Sequence, residues 1–166
     1  MSMSLKCSGF EDMEMQLDKL GNASLAVAKL CLYEGARVVA DQLKAAVASI
    51  PTEEHHAVPK ARNGKQLYYM TDAEKAACIA GVGIAKFDAS DDKAQTAVGF
   101  NGYQTEASSS GYPRGIPVPM LMRSVEGGSS VRAKNPVCRK AFRAAESGAV
   151  SAMTAKFEEI IGNIMN

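Results

Sequence analysis

The chain has 166 residues and a net charge of +1, which suits a single domain and excludes bulk electrostatic attraction to nucleic acid. Hydrophobic residues make up 46% and charged residues 22%, an ordinary globular balance, and no apolar run approaches the ~20 residues a membrane span needs. There is no Trp and aromatics are only 6%, so the core must be built from Ala, Val, Leu, Ile and Met, a set that favours helices.

Met1-Ser2-Met3-Ser4-Leu5-Lys6 lacks the apolar stretch of a signal peptide, so synthesis and folding in the cytoplasm are expected. Ser8 and Glu11 have capping-box spacing. Phe10, Met13, Leu17 and Leu20 then recur at helical intervals, and Gly21 is expected to stop this first helix. Asn22 is the expected N-cap of a second helix. Its apolar stripe is Leu25, Ala28, Leu32, Ala36, Val39, Leu43, Ala46 and Ile50, and Pro51 ends it. Such a helix would be about 40 Å long at 1.5 Å per residue, the reach of a spine that packs along a partner.

From Pro51 to Met70 the periodicity disappears. Thr71-Asp72-Ala73-Glu74 is a second capping box, predicting a short helix to about Ala80, released by Gly81 and Gly83. Alternation from Gln95 to Phe100 predicts a strand, with a partner over Ile84 to Phe87 and a turn from Asp88 to Asp92. The stretch 103–117, rich in Ser, Gly and Pro, reads as loop. Met120 to Glu126 predicts one or two helical turns. Asn135-Pro136 predicts the start of a last helix, carried by Phe142, Ala145, Ala149, Met153, Phe157, Ile160 and Ile164. The fold class expected is α+β, a long N-terminal helix and a C-terminal helix packed on a small antiparallel sheet. Residues 1–166 form one domain with mobile loops at about 51–66 and 103–117.

The chemistry-bearing residues do not converge. The four cysteines, Cys7, Cys31, Cys78 and Cys138, form no CxxC or Cys/His cluster and read as small core residues. His55 and His56, the only histidines, are neighbours in a polar loop and cannot readily grip one ion. Asp88, Asp91 and Asp92 lack the spacing of a calcium loop. Gly81-Val82-Gly83 follows no strand and opens no helix, so it is no phosphate cradle. No catalytic, cofactor or metal site is expected. One candidate site remains, a basic patch of Arg132, Lys134, Arg139, Lys140 and Arg143 with no acidic residue among them. Arg139 and Lys140 fall near the positive end of a helix dipole, where cations are mildly unfavourable, which suggests that a partner uses the charge.

Several segments together carry a family resemblance. Gly9-Phe10-Glu11 opens an amphipathic helix, and a long helix follows. Then come Val98-Gly99-Phe100-Asn101-Gly102-Tyr103, Tyr112-Pro113-Arg114-Gly115, Met120-Leu121-Met122-Arg123-Ser124-Val125-Glu126-Gly127-Gly128-Ser129-Ser130 and Arg132-Ala133-Lys134-Asn135-Pro136-Val137. This order resembles the tail-completion family of long-tailed phages, the head-to-tail neck or minor tail proteins, in the form carried by prophages of Gram-positive bacteria. The likeness is most specific over 98–145. It departs from the usual pattern in having Gly128-Ser129 for Gly-Thr and Val137 for Phe. The resemblance implies a virion structural protein without catalysis, made in the bacterial host cytoplasm and assembled into a ring at the tail's head-proximal end. Its implied partners are tail-terminator or connector/stopper proteins, with no membrane and with DNA only as the passing genome. The alternative is a non-phage cytosolic helical oligomerisation or interaction module.

Overall fold

A computed structural model describes residues 11–52, 64, 67–90, 93–106 and 111–165. The architecture is α+β. Two long helices form an antiparallel hairpin, two short helices pack at one end of it, and small two-stranded antiparallel ladders lie alongside.

Helix α1 runs unbroken over Glu11–Ala48, so the expected stop at Gly21 does not occur. A glycine inside a helix costs only about 1 kcal/mol, and good helix formers on both sides outweigh that. Ser8, the expected cap, lies outside the described residues. The buried stripe also differs from expectation. It comprises Val27, Cys31, Ala36, Ala40, Leu43, Val47 and Ile50, whereas Leu25 is 56% exposed. The partner helix explains the choice. Helix α4, Val137–Met165, presents Ala141, Ala145 and Ala149. A Cβ on Gly35 would come within 2.7 Å of Met153 Cγ and 3.3 Å of the Ala149 carbonyl oxygen, so the two backbones approach closely there. Small side chains on both faces give more contact than the larger leucines could reach. Phe142 is likewise exposed, its expected place on the stripe being filled by Ala141.

Helix α2, Asp72–Gly81, begins where the sequence indicates, with Thr71 Oγ1 accepting from Glu74 N and Glu74 Oε2 accepting from Thr71 N. Lys75 donates to the Ile50 carbonyl oxygen at 2.7 Å, satisfying an acceptor just beyond the end of α1. Strand β1, Val82–Ile84, pairs antiparallel with β4, Val98–Phe100, and β2, Asp88–Ser90, pairs with β3, Lys93–Gln95. Ala85 N donates to the Ala97 carbonyl oxygen between the two ladders, so they are one interrupted hairpin. The partner strand thus starts two residues earlier than expected, and Asp88 belongs to a strand. Tyr33 on α1 anchors the hairpin by accepting from Phe87 N at 3.0 Å.

The stretch 103–117, expected to be loop, is tied at its base: β5, Tyr103–Gln104, pairs with β6, Ile116–Pro117. Helix α3, Val118–Gly127, follows at once, two residues earlier than expected because Pro119 fits the first turn. Of the loop at 51–66, only Pro51, Thr52 and Gly64 are described.

Two buried clusters share α1. Val47, Ile50, Met70, Cys78, Val118, Leu121, Met122 and Val125 form the larger, at the end carrying α2 and α3. Ala40, Leu43, Val82 and Ala141 form the smaller, under β1. Phe100 and Cys138 pack against both.

Candidate functional site: a basic face on the α3–α4 connector

The connector from Gly128 to Pro136 is held by its backbone. Ser129 N donates to the Arg132 carbonyl oxygen and Asn135 N to that of Val125. Tyr68 and Ala133 exchange bonds with this stretch, Tyr68 N donating to Val131 and Ala133 N to Tyr68. Ser129 Oγ accepts from Arg132 N at 3.0 Å.

At the start of α4 the Asn135 cap that the sequence suggests is replaced by a distant one. The Glu126 carboxylate accepts from Cys138 N at 2.9 Å and Arg139 N at 3.1 Å. A negative charge on the first turn satisfies two N–H groups and offsets the helix dipole that would disfavour Arg139 and Lys140. No local sequence pattern announces this cap, because donor and acceptor lie on different helices.

The five basic residues divide. Arg132 makes a two-pronged ion pair with Glu74, 2.7 Å from Nη2 to Oε1 and 2.9 Å from Nη1 to Oε2. Nη1 also donates to the Tyr69 carbonyl oxygen at 2.6 Å. The side chains of Arg132 and Glu74 are only 14% and 11% exposed, so Arg132 is an internal tie and leaves the candidate patch. Counting charge along the chain could not detect this, since Glu74 is 58 residues away.

Lys134, Arg139, Lys140 and Arg143 do come together. With Glu126, Gly127 and Pro136 they line a groove of about 310 Å³. All four are exposed, and none forms an ion pair among the described residues. Chemically the groove offers a cluster of cationic donors on a rigid helix start, suited to carboxylates or other anions on a partner surface. His55, His56, Asp91 and Asp92 lie outside the described residues. Among the described residues, no group of His, Cys, Asp and Glu could hold a metal ion, and no helix is long and apolar enough to cross a membrane.

The chain matches no family model, no curated protein and no solved structure.

A second feature escaped the sequence reading. At the far end of the helical hairpin an apolar groove of about 570 Å³ opens between α1 and α4, lined by Ser24, Val27, Ala28, Cys31, Met153 and Phe157 among others. Phe157 is 46% exposed there. The periodicity identifies Phe157 as apolar but cannot say that, among the described residues, α4 has no neighbour on that side.

Proposed function

We propose that this chain is a non-catalytic structural protein of a tailed phage or prophage, a tail-completion component joining head to tail at the neck. The observation that carries the reading is the convergence of Lys134, on the α3–α4 connector, with Arg139, Lys140 and Arg143, on the first turns of α4. That connector is the stretch where the family resemblance is most specific. Its other residues and the end of α3 have internal work that accounts for their pattern: Val125 is buried, Glu126 caps α4, Ser129 supports the turn, and Arg132 ties the connector to α2. Among the described residues, the four exposed cations form no ion pair. They are the part of the motif available to a tail-terminator or connector ring, whose acidic groups they would meet.

The test is binding of the full chain to purified tail tube or connector ring, read by mass. Wild-type protein should associate, and reversing Arg139 and Lys140 to Glu should weaken association by at least about tenfold while far-UV circular dichroism stays unchanged. The wild-type association should also weaken as salt rises. Failure of the wild type to associate leaves a non-phage interaction module as the better reading. Association indifferent to the reversal makes the patch an ordinary solvated face.

A further inference from the structure

The basic groove does not end at its own rim. Lys140 also lines a second groove, of about 450 Å³, between the last turns of α1 and the first turns of α4. Its α1 wall is Gln42, Ala45, Ala46 and Ser49, and none of these is charged. Ser49 Oγ donates to the Ala46 carbonyl oxygen at 2.7 Å, so this hydroxyl is turned to its own helix. The facing wall is Val137, Ala141 and Ala144, with Lys140 at its edge. Helical spacing makes the two grooves one surface. At about 100° per residue, the order around α4 away from the buried face is Ala141, Val137, Ala144, Lys140, Arg143 and Arg139. Small apolar side chains give way to cations across Lys140. Ala45, Ala144 and the cations are exposed, while Ala46 and Val137 are half-buried.

The two halves together select a partner chemistry. A phosphodiester backbone would match the cations alone, because neither groove is lined by an aromatic ring for base stacking. Glu126 also stands among the cations, where it would meet each phosphate as a like charge. A helix with an apolar ridge and an acidic flank matches both halves. Small side chains on two neighbouring helices leave a trough that the ridge of a third can enter closely. The walls from Gln42 to Ser49 and from Val137 to Ala144 are each about 10 Å long, the length of two turns. A partner helix with apolar residues at i, i+3 or i+4, and i+7 fills that length. We infer that the trough and the basic groove form one docking site for an acidic amphipathic helix of another protein. Its apolar ridge lies on Ala45, Ala46 and Ala144, and its carboxylates accept from Lys140, Arg143 and Arg139. The inference rests on the reading of the four cations as a partner-contact patch, and not on the partner being a tail component.

The probe is a fluorescein-labelled peptide of about four helical turns built from Leu, Ala and Glu, with leucines on one face and glutamates along one flank. Fluorescence anisotropy with the full chain should show binding at least about tenfold tighter than for the same residues in scrambled order. Reversing Arg139 and Lys140 to Glu should weaken it by at least about tenfold. Ala45→Arg and Ala144→Arg separate shape from charge, since each adds a cation while filling the trough. Each should weaken the peptide by about tenfold, whereas attraction by charge alone would be strengthened. Both alanines are exposed and arginine is a good helix former, so helical content should be retained. Should one variant unfold, the other and the scrambled peptide still decide. Absence of binding, equal binding of the scrambled peptide, or tighter binding by the arginine variants would each overturn the inference. An oligothymidylate of similar length binding more tightly than the peptide would overturn it in favour of nucleic acid. A chain that binds tail components but not the peptide keeps the neck reading and loses this inference, and the opposite pair of results does the reverse.

Discussion

At Arg132 the difference between a charge that serves the fold and one that faces outward can be measured. Its guanidinium and the Glu74 carboxylate are held together with little water around them, and Glu74 is also the reciprocal half of the α2 capping box. Arg132→Ala would leave that carboxylate buried without its counter-charge, and we expect a loss of about 3–5 kcal/mol in urea unfolding. Lys134→Ala, on the exposed side of the same connector, should change stability by less than about 0.5 kcal/mol. Equal costs at the two positions would refute the division of the patch. The cysteines give a second residue-scale prediction. Burial pushes the Cys78 thiol from 9.0 up to about 12, with the Glu74 carboxylate adding to the effect and Arg132 opposing it. Burial, reinforced by Glu126, raises Cys138 to about 11. The folded state therefore holds these protons to higher pH than the unfolded chain does. The resulting stability is complete below about pH 9 and is lost progressively as pH rises toward the folded values. Cys78→Ala should lower stability at neutral pH through the small cavity it leaves, yet flatten the alkaline decline. An unchanged alkaline slope would mean other groups control it.

Among the elements, the ones legible in the sequence were those whose signals are local. Thr71 and Glu74 announce α2 because both partners of the capping box lie within one turn, and the α1 and α4 spines follow from apolar residues repeating within one helix. What was not legible depended on a neighbour. Gly21 reads as a stop in isolation, Leu25 reads as core until α4 is seen to prefer Val27, and Glu126 caps a helix other than its own. The stretch 103–117 is the clearest case. Its Ser, Gly and Pro content says loop, yet Gly115 has φ +89° and is so close to Gln104 that a Cβ would overlap its carbonyl group. The glycine is there to let β5 and β6 meet, and composition alone cannot separate that from flexibility. Gly115→Ala should therefore cost more than about 2 kcal/mol, as both the backbone angle and the contact are violated. Thermal unfolding would check it; a shift within error of wild type would mean this ladder contributes little to the fold.

On the scale of the whole molecule, the two buried clusters need not have formed one unit, since one belongs to the helical hairpin and the other gathers α2, α3 and the end of α1. They are coupled because α1 alternates between them, Leu43 facing one and Val47 the other, and because Phe100 and Cys138 touch both. Losing either cluster would expose the shared residues of the other, so the two are expected to unfold together. Met122→Ala removes a large buried side chain from the α3 cluster and should cost about 2–5 kcal/mol. If the coupling holds, helical signal and fluorescence from Tyr68, Tyr69, Tyr103 and Tyr112, read with Tyr33 of α1 replaced by Phe, should fall at the same urea concentration with and without Met122→Ala, with the slope m unchanged. In hydrogen exchange the most protected amides should lie at Ala40–Val47 and Ala141–Ala149, where the hairpin joins the clusters, with protection declining along α1 toward Gly21. A variant whose hairpin signal persists after the tyrosine signal is lost would show two separable units, with the basic connector free to unfold while the spine stays helical.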